Sequence, residues 1–152
     1  MIPSTTDRVP SNTARHINER IRRQTEENVA RFAHAGPRAI EERLRELDEE
    51  WDVERYVETL APTFTLVGMG LGLFVSRKWF VLPFTVQAFF LQHAIQGWCP
   101  PVPVLRRAGV RTAAEIETER NALKALRGDY REVAARSKTA NIAHRAVEAA
   151  DR

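Results

Sequence analysis

Two long uncharged stretches, split by one basic pair, set the limits on what this chain can fold into. Residues 59–76 run 18 positions without a charged side chain and residues 79–105 run 27, with only Arg77 and Lys78 between them. At about 1.5 Å per residue, 18 helical residues cover roughly 27 Å, close to the ~30 Å hydrocarbon core of a bilayer. Nothing else in the chain is apolar enough to cover two such helices on all sides. The expectation is an all-α protein built on a two-helix transmembrane hairpin over residues 59–105, with spans at about 59–76 and 79–98. The short link makes the two helices antiparallel.

The charged residues lie outside this centre. Residues 1–59 carry a net −3, residues 60–98 a net +2 and residues 99–152 a net +4. Residues 1–10, with Pro3 and Pro10 around small polar side chains, read as a disordered N-terminus. No apolar segment precedes the charged region, so no secretory signal peptide is expected. Residues 11–58 read as a charged cytoplasmic helical arm, amphipathic and coiled-coil-like. A first helix opens near Ser11 or Asn12 and stops at Gly36-Pro37; a second runs from about Pro37 to Thr59. Ile40, Leu44, Leu47 and Trp51 step by 4, 3 and 4 along it, a stripe for packing on another helix. Residues 106–152 read as a basic helical C-terminal arm and tail. Pro100, Pro101 and Pro103 predict an extended lead-in. Thr112 and Glu115 form a T-x-x-E capping box. Ile116, Leu123, Leu126, Tyr130 and Val133 line one face of the helix that follows, and residues 137–152 form a marginal helix or frayed tail.

Topology follows from the basic flanks. Arg43, Arg45 and Arg55 precede the hairpin and Arg106, Arg107 and Arg111 follow it, against Arg77 and Lys78 in the turn. Six against two places both termini in the cytoplasm. Arg77, Lys78, Trp79 and Trp98 read as interface anchors.

Four groups of residues carry possible chemistry. Thr65, Gly68, Gly72 and Ser76 make a small-residue row that lets two helix backbones approach closely, within the hairpin or between protomers. Thr85, Gln92, His93 and Gln96 form a polar face on the second span, while Gln87 points elsewhere; polar groups in a bilayer need protein or water partners. Cys99, the one cysteine, sits at the membrane boundary as a candidate thiol. A single cysteine excludes an internal disulfide and a cysteine-built zinc site. No Walker loop, dinucleotide fingerprint or H-E-x-x-H pattern is present, so no cofactor and no metal is expected. The C-terminal arm alternates both charge signs, which argues against nucleic acid.

Trp51-Asp52-Val53-Glu54-Arg55, the Gly-rich first span, Arg77-Lys78-Trp79 and Gln92-His93-Ala94-Ile95-Gln96-Gly97-Trp98-Cys99-Pro100-Pro101 together resemble the YgaP-like inner-membrane domain family. The likeness is strongest over residues 50–108. Residues 122–130, Ala-Leu-Lys-Ala-Leu-Arg-Gly-Asp-Tyr, look like the extended bacterial members. The resemblance implies a two-span hairpin ending in a Gly-x-Cys-Pro element in the bacterial inner membrane, mostly of unassigned function. It also implies sulfane-sulfur handling where such a hairpin anchors a rhodanese domain. Here the arms are helical and the sole cysteine lies in the hairpin, so no rhodanese site accompanies it.

The leading expectation is a non-enzymatic membrane anchor or assembly module. Its partners are the lipid bilayer, further copies of itself as a homo-oligomer, and a cytoplasmic protein. One alternative is a thiol-bearing component of sulfur or redox handling through Cys99 with a partner protein. Another is a small-solute path along the polar face of the second span.

Overall fold

A computed structural model describes residues 3–130, and all regular structure among them is helical. In chain order the helices are α1 (Arg8–Ser11), α2 (Arg15–Ala33), α3 (Pro37–Glu49), α4 (Val53–Phe74), α5 (Val81–Gln96), α6 (Val102–Arg107) and α7 (Ala113–Arg127). A 3₁₀ turn, Arg77–Phe80, joins α4 to α5. The chain divides into two compact units, Met1–Arg23 with Trp51–Glu115 and Gln24–Glu50 with Ile116–Arg152. Expectations for Val133 and for residues 137–152 lie outside the described residues.

The expected long helix from Pro37 to Thr59 is two helices. Glu50, at the C-cap of α3, is extended, and Asp52 caps α4 by accepting the Arg55 N–H at 2.7 Å. An aspartate in that position satisfies an orphan donor and starts a new helix rather than continuing the old one. α4 runs on for 22 residues through Pro62. The segment Pro37–Phe74 contains the one window, among the described residues, long and apolar enough to cross a membrane, and only 22% of that window is buried. Thr59, Thr63 and Thr65 return their hydroxyls to the carbonyls four residues earlier at 2.7–2.8 Å, which leaves no bare threonine hydroxyl on α4.

α5 is shorter than the expected second span. Its 16 residues cover about 24 Å, so by length it does not match a 30 Å core as α4 does. It lies against α4 as a helical hairpin. A Cβ added at Gly68 would come within 2.6 Å of Pro83 Cδ, and one at Gly72 within 2.8 Å of the Phe80 ring. Gln87, expected to point away, donates to Thr65 Oγ1 at 2.7 Å and ties the two helices together.

Within residues 1–10, expected as a disordered N-terminus, Arg8–Pro10 are helical. Val9 is buried in the core of the first unit with Val53, Val57, Cys99 and Val102. α1 crosses the C-terminal end of α5, where Arg8 Nη1 donates to the Ala94 carbonyl at 2.8 Å and Asn12 Nδ2 to the Gln96 carbonyl at 2.7 Å. These are carbonyls that a helix end leaves without intrahelical partners. Gly97 ends α5 at φ +76°, and a Cβ there would meet the Arg8 backbone at 2.4 Å. Only glycine satisfies both the left-handed backbone and the close approach.

The three prolines after Cys99 open a helix instead of an extended segment. Pro101 is the N-cap of α6 and Pro103 lies in its first turn, where a missing N–H costs no intrahelical bond. α6 delivers Arg106, counted from sequence as a basic flank of the hairpin, into the protein interior with its side chain fully buried. All five of its N–H groups have acceptors. Nε meets Thr13 Oγ1 (3.2 Å), Nη1 meets the Val110 carbonyl (3.1 Å) and Glu115 Oε2 (2.6 Å), and Nη2 meets Asn18 Oδ1 (2.9 Å) and Glu115 Oε1 (2.7 Å). The capping box forms as read: Thr112 N–H reaches Glu115 Oε2 at 2.8 Å and Glu115 N–H reaches Thr112 Oγ1 at 3.3 Å.

In the second unit the α3 stripe is real for three of its four members. Ile40, Leu44 and Leu47 pack with Ile116 and Leu123 of α7, with Phe32 alongside. Trp51 lies beyond α3, belongs to the first unit and is exposed, with the Arg55 guanidinium 4.4 Å from its ring centroid. The α7 side of this unit is not purely apolar. Glu119 is fully buried and accepts from Arg43 Nε at 2.8 Å and from Asn28 Nδ2 at 3.3 Å.

Candidate functional site

The densest polar chemistry near the hairpin lies where α1, α4, α5 and the residues before α6 converge. Asp52 starts α4 so that Glu54 falls in its first turn. Gly97 ends α5 so that His93 falls in its last turn and Cys99 follows at once. Glu54 Oε2 lies 2.6 Å from His93 Nε2 and Glu54 Oε1 lies 3.0 Å from Arg8 Nη2. An ionised carboxylate only accepts, so the histidine bears its proton on Nε2 and, when neutral, presents a lone pair at Nδ1.

His93 is 3% exposed, and its Nδ1 is one of the buried polar atoms without a hydrogen-bond partner. The Cys99 thiol lies beside the ring, close enough to interact with it though not in a formed hydrogen bond. Cys99 is itself 3% exposed and lines a pocket of about 170 Å³ with Ala61, Phe64, Val86, Phe89 and Phe90. A thiol, an imidazole, a carboxylate and a guanidinium therefore stand in series at the edge of an apolar space.

The sequence-predicted residues separate into different settings. Of the polar face, His93 alone is buried. Thr85 is exposed and bonds its own helix at Val81 O (2.9 Å), Gln92 is half-buried, and Gln96 is exposed with only its backbone carbonyl engaged by Asn12. Of the small-residue row, Thr65, Gly68 and Gly72 face α5 or the turn before it, whereas Ser76 caps that turn and is exposed. The close contact made by the two glycines is thus spent inside one chain. Of the anchors, Arg77, Lys78 and Trp79 are exposed on the 3₁₀ turn, while Trp98 is half-buried with its ring edge-on to Phe89.

Sequence reading missed Glu54 as the partner of His93 and Arg8 as the partner of Glu54. Glu54 reads as one acid among many in a charged arm, and the pairing joins positions 39 residues apart. The flank count also changes in meaning. Arg106 and Arg111 are buried and Arg43 is held by Glu46 and Glu119. That leaves Arg45, Arg55 and Arg107 as exposed basic side chains against Arg77 and Lys78.

No protein-family model, curated protein or solved structure matches this chain.

Proposed function

We propose that this chain is a bacterial inner-membrane protein whose α4–α5 hairpin enters the bilayer and whose charged helices form a cytoplasmic assembly module. The observation that carries this reading is the outward face of the hairpin. Leu66, Leu73, Phe74, Val81, Phe84 and Leu91 are all more than 60% exposed, and Phe74 and Phe84 reach 88% and 80%. A contiguous apolar surface of this kind is rare on a soluble monomer and matches lipid. The 3₁₀ turn with Arg77, Lys78 and Trp79 suits a headgroup layer at the tip of the hairpin. The resemblance to YgaP-like domains points to the same membrane.

In this reading α5 reaches across by using the 3₁₀ turn at one end and the Gly97–Pro101 segment at the other. Both termini lie on the cytoplasmic side, an orientation that rests on a narrower margin of exposed basic residues than the bare sequence offers. Self-association would use the exposed hairpin face, since Gly68 and Gly72 already pack against α5 and its lead-in turn.

Carbonate washing of membranes tests the anchor. The protein should stay in the pellet, and release into the supernatant would overturn the reading. A C-terminal reporter active only in the periplasm should stay silent; a signal would reverse the orientation.

A further inference from the structure

We infer that Cys99 is a nucleophilic thiol that accepts a fatty acyl group, with His93 as its base, Glu54 as the positioning carboxylate and the apolar pocket as the site for the acyl chain. This goes beyond the anchor reading and does not depend on which side of a membrane the site faces.

Three independent observations converge on it. The first is the unpartnered Nδ1 of a histidine that is 97% buried, beside the thiol. Burying a polar nitrogen without a partner is unfavourable, so its retention beside a nucleophile calls for a role. The second is the hydrogen bond from Nε2 to Glu54, which Arg8 holds from the other side. A nucleophile next to a base, itself oriented by a third group, is the arrangement that activates weak nucleophiles, and such contacts are commonly loose until substrate binds. The third is the pocket of about 170 Å³, walled almost wholly by aliphatic and aromatic side chains, with the cysteine in its lining. It offers no charged side chain to a polar substrate.

The chemistry closes without an oxidant. Nδ1 of His93 takes the thiol proton, and Sγ of Cys99 attacks the carbonyl carbon of an acyl thioester. The new S–C bond forms, the bond from the carbonyl carbon to the donor sulfur breaks, and the departing thiolate recovers the proton from His93. The acyl group moves from one sulfur to another with no net redox change. Disulfide chemistry, by contrast, would need a second thiol, and the chain has one cysteine.

The test uses the full chain in mild detergent, incubated with palmitoyl-coenzyme A or acetyl-coenzyme A and read by intact mass. Wild type should gain one palmitoyl group, removable by neutral hydroxylamine, and palmitoyl should transfer faster than acetyl. Cys99→Ser should gain nothing. His93→Gln should slow transfer by about 10²-fold or more at unchanged helix content. Glu54→Gln keeps an acceptor for Nε2 and should shift the pH profile of transfer rather than abolish it. If His93→Gln fails to fold, Ala61→Met decides: filling the pocket should slow palmitoyl transfer while sparing acetyl. Absence of acylation at Cys99, wild-type rates in a folded His93→Gln protein, or equal sensitivity of both donors to Ala61→Met would overturn the proposal.

Discussion

Arg106→Met removes a guanidinium whose five donors are all engaged and whose side chain has no solvent exposure. The variant loses the two-pronged contact to Glu115, leaves that carboxylate, which is 23% exposed, with the Thr112 N–H, and takes the guanidinium donor from Asn18 Oδ1 and the Val110 carbonyl. Breaking one side of a buried ion pair costs about 3–5 kcal/mol, because the remaining charge keeps its desolvation penalty and loses its partner. Glu115→Gln should cost a similar amount while retaining the capping box, since glutamine can serve at that position. The double variant removes both charges. It should therefore be no less stable than Arg106→Met alone, giving a coupling energy of about 3 kcal/mol or more between neighbours that share a network. Urea unfolding in mild detergent, followed by helix circular dichroism, supplies all four corners of the cycle.

The same pair has an acid signature. Burial alone would raise the Glu115 pKa, but the Arg106 fork and the Thr112 N–H outweigh it and bring the carboxyl below the ordinary 4.5. A lowered folded-state value means that the native state binds fewer protons than the unfolded chain, so stability rises with pH across this window. The contribution is present above about pH 4.5 and fades as the pH falls through the folded-state value. Arg106→Met should flatten that part of the acid limb. Single variants that each cost under about 1 kcal/mol, or costs that simply add in the double variant, would refute the buried-pair reasoning.

Gly97→Ala places a Cβ 2.4 Å from the Arg8 backbone on a residue at φ +76°, so it should lower stability by at least the ~1–2 kcal/mol of left-handed strain and expose Arg8 to trypsin. Deleting residues 1–12 removes Val9 from the core around Cys99 and uncaps Ala94 and Gln96. Cys99 should then label with maleimide at least ten times faster than in the intact chain, as read by mass spectrometry. Gly68→Ile should disrupt the α4–α5 contact, so its thermal midpoint should fall in detergent while the crosslinking pattern between copies stays as in wild type.

What could be read in advance was whatever depends on neighbours in sequence. The apolar centre, the T-x-x-E box and the 4–3 spacing of Ile40, Leu44 and Leu47 are local patterns, and each appears where expected. The break at Glu50–Asp52 was also local but was masked, because the apolar period runs through it while the capping aspartate sits among many other acids. Arg106 could not be placed, since its burial depends on Thr13, Asn18 and Glu115 meeting from distant segments. His93 read as a polar group on one helix face; its partner Glu54 comes from α4 and is held in turn by Arg8 of α1, and no periodicity in α5 announces either. The N-terminal residues read as tail because their few apolar side chains show no repeat, yet one valine and two side-chain donors suffice to seat them on a prepared helix end.

That seating has a consequence for the order in which the protein can assemble. Arg8 and the Ala94 carbonyl are 86 residues apart, and Asn12 and Gln96 are 84 apart. At about 5–20 residues per second, a ribosome takes roughly 4–17 s to make that stretch. Through this interval α1 can meet only the start of α4, at Val53, Glu54 and Val57, because the end of α5 does not yet exist. Residues synthesised before the hairpin are therefore placed after it. They close over Cys99 only after the hairpin is complete, so during biogenesis the thiol is open on a second side besides the pocket that it lines in the finished fold.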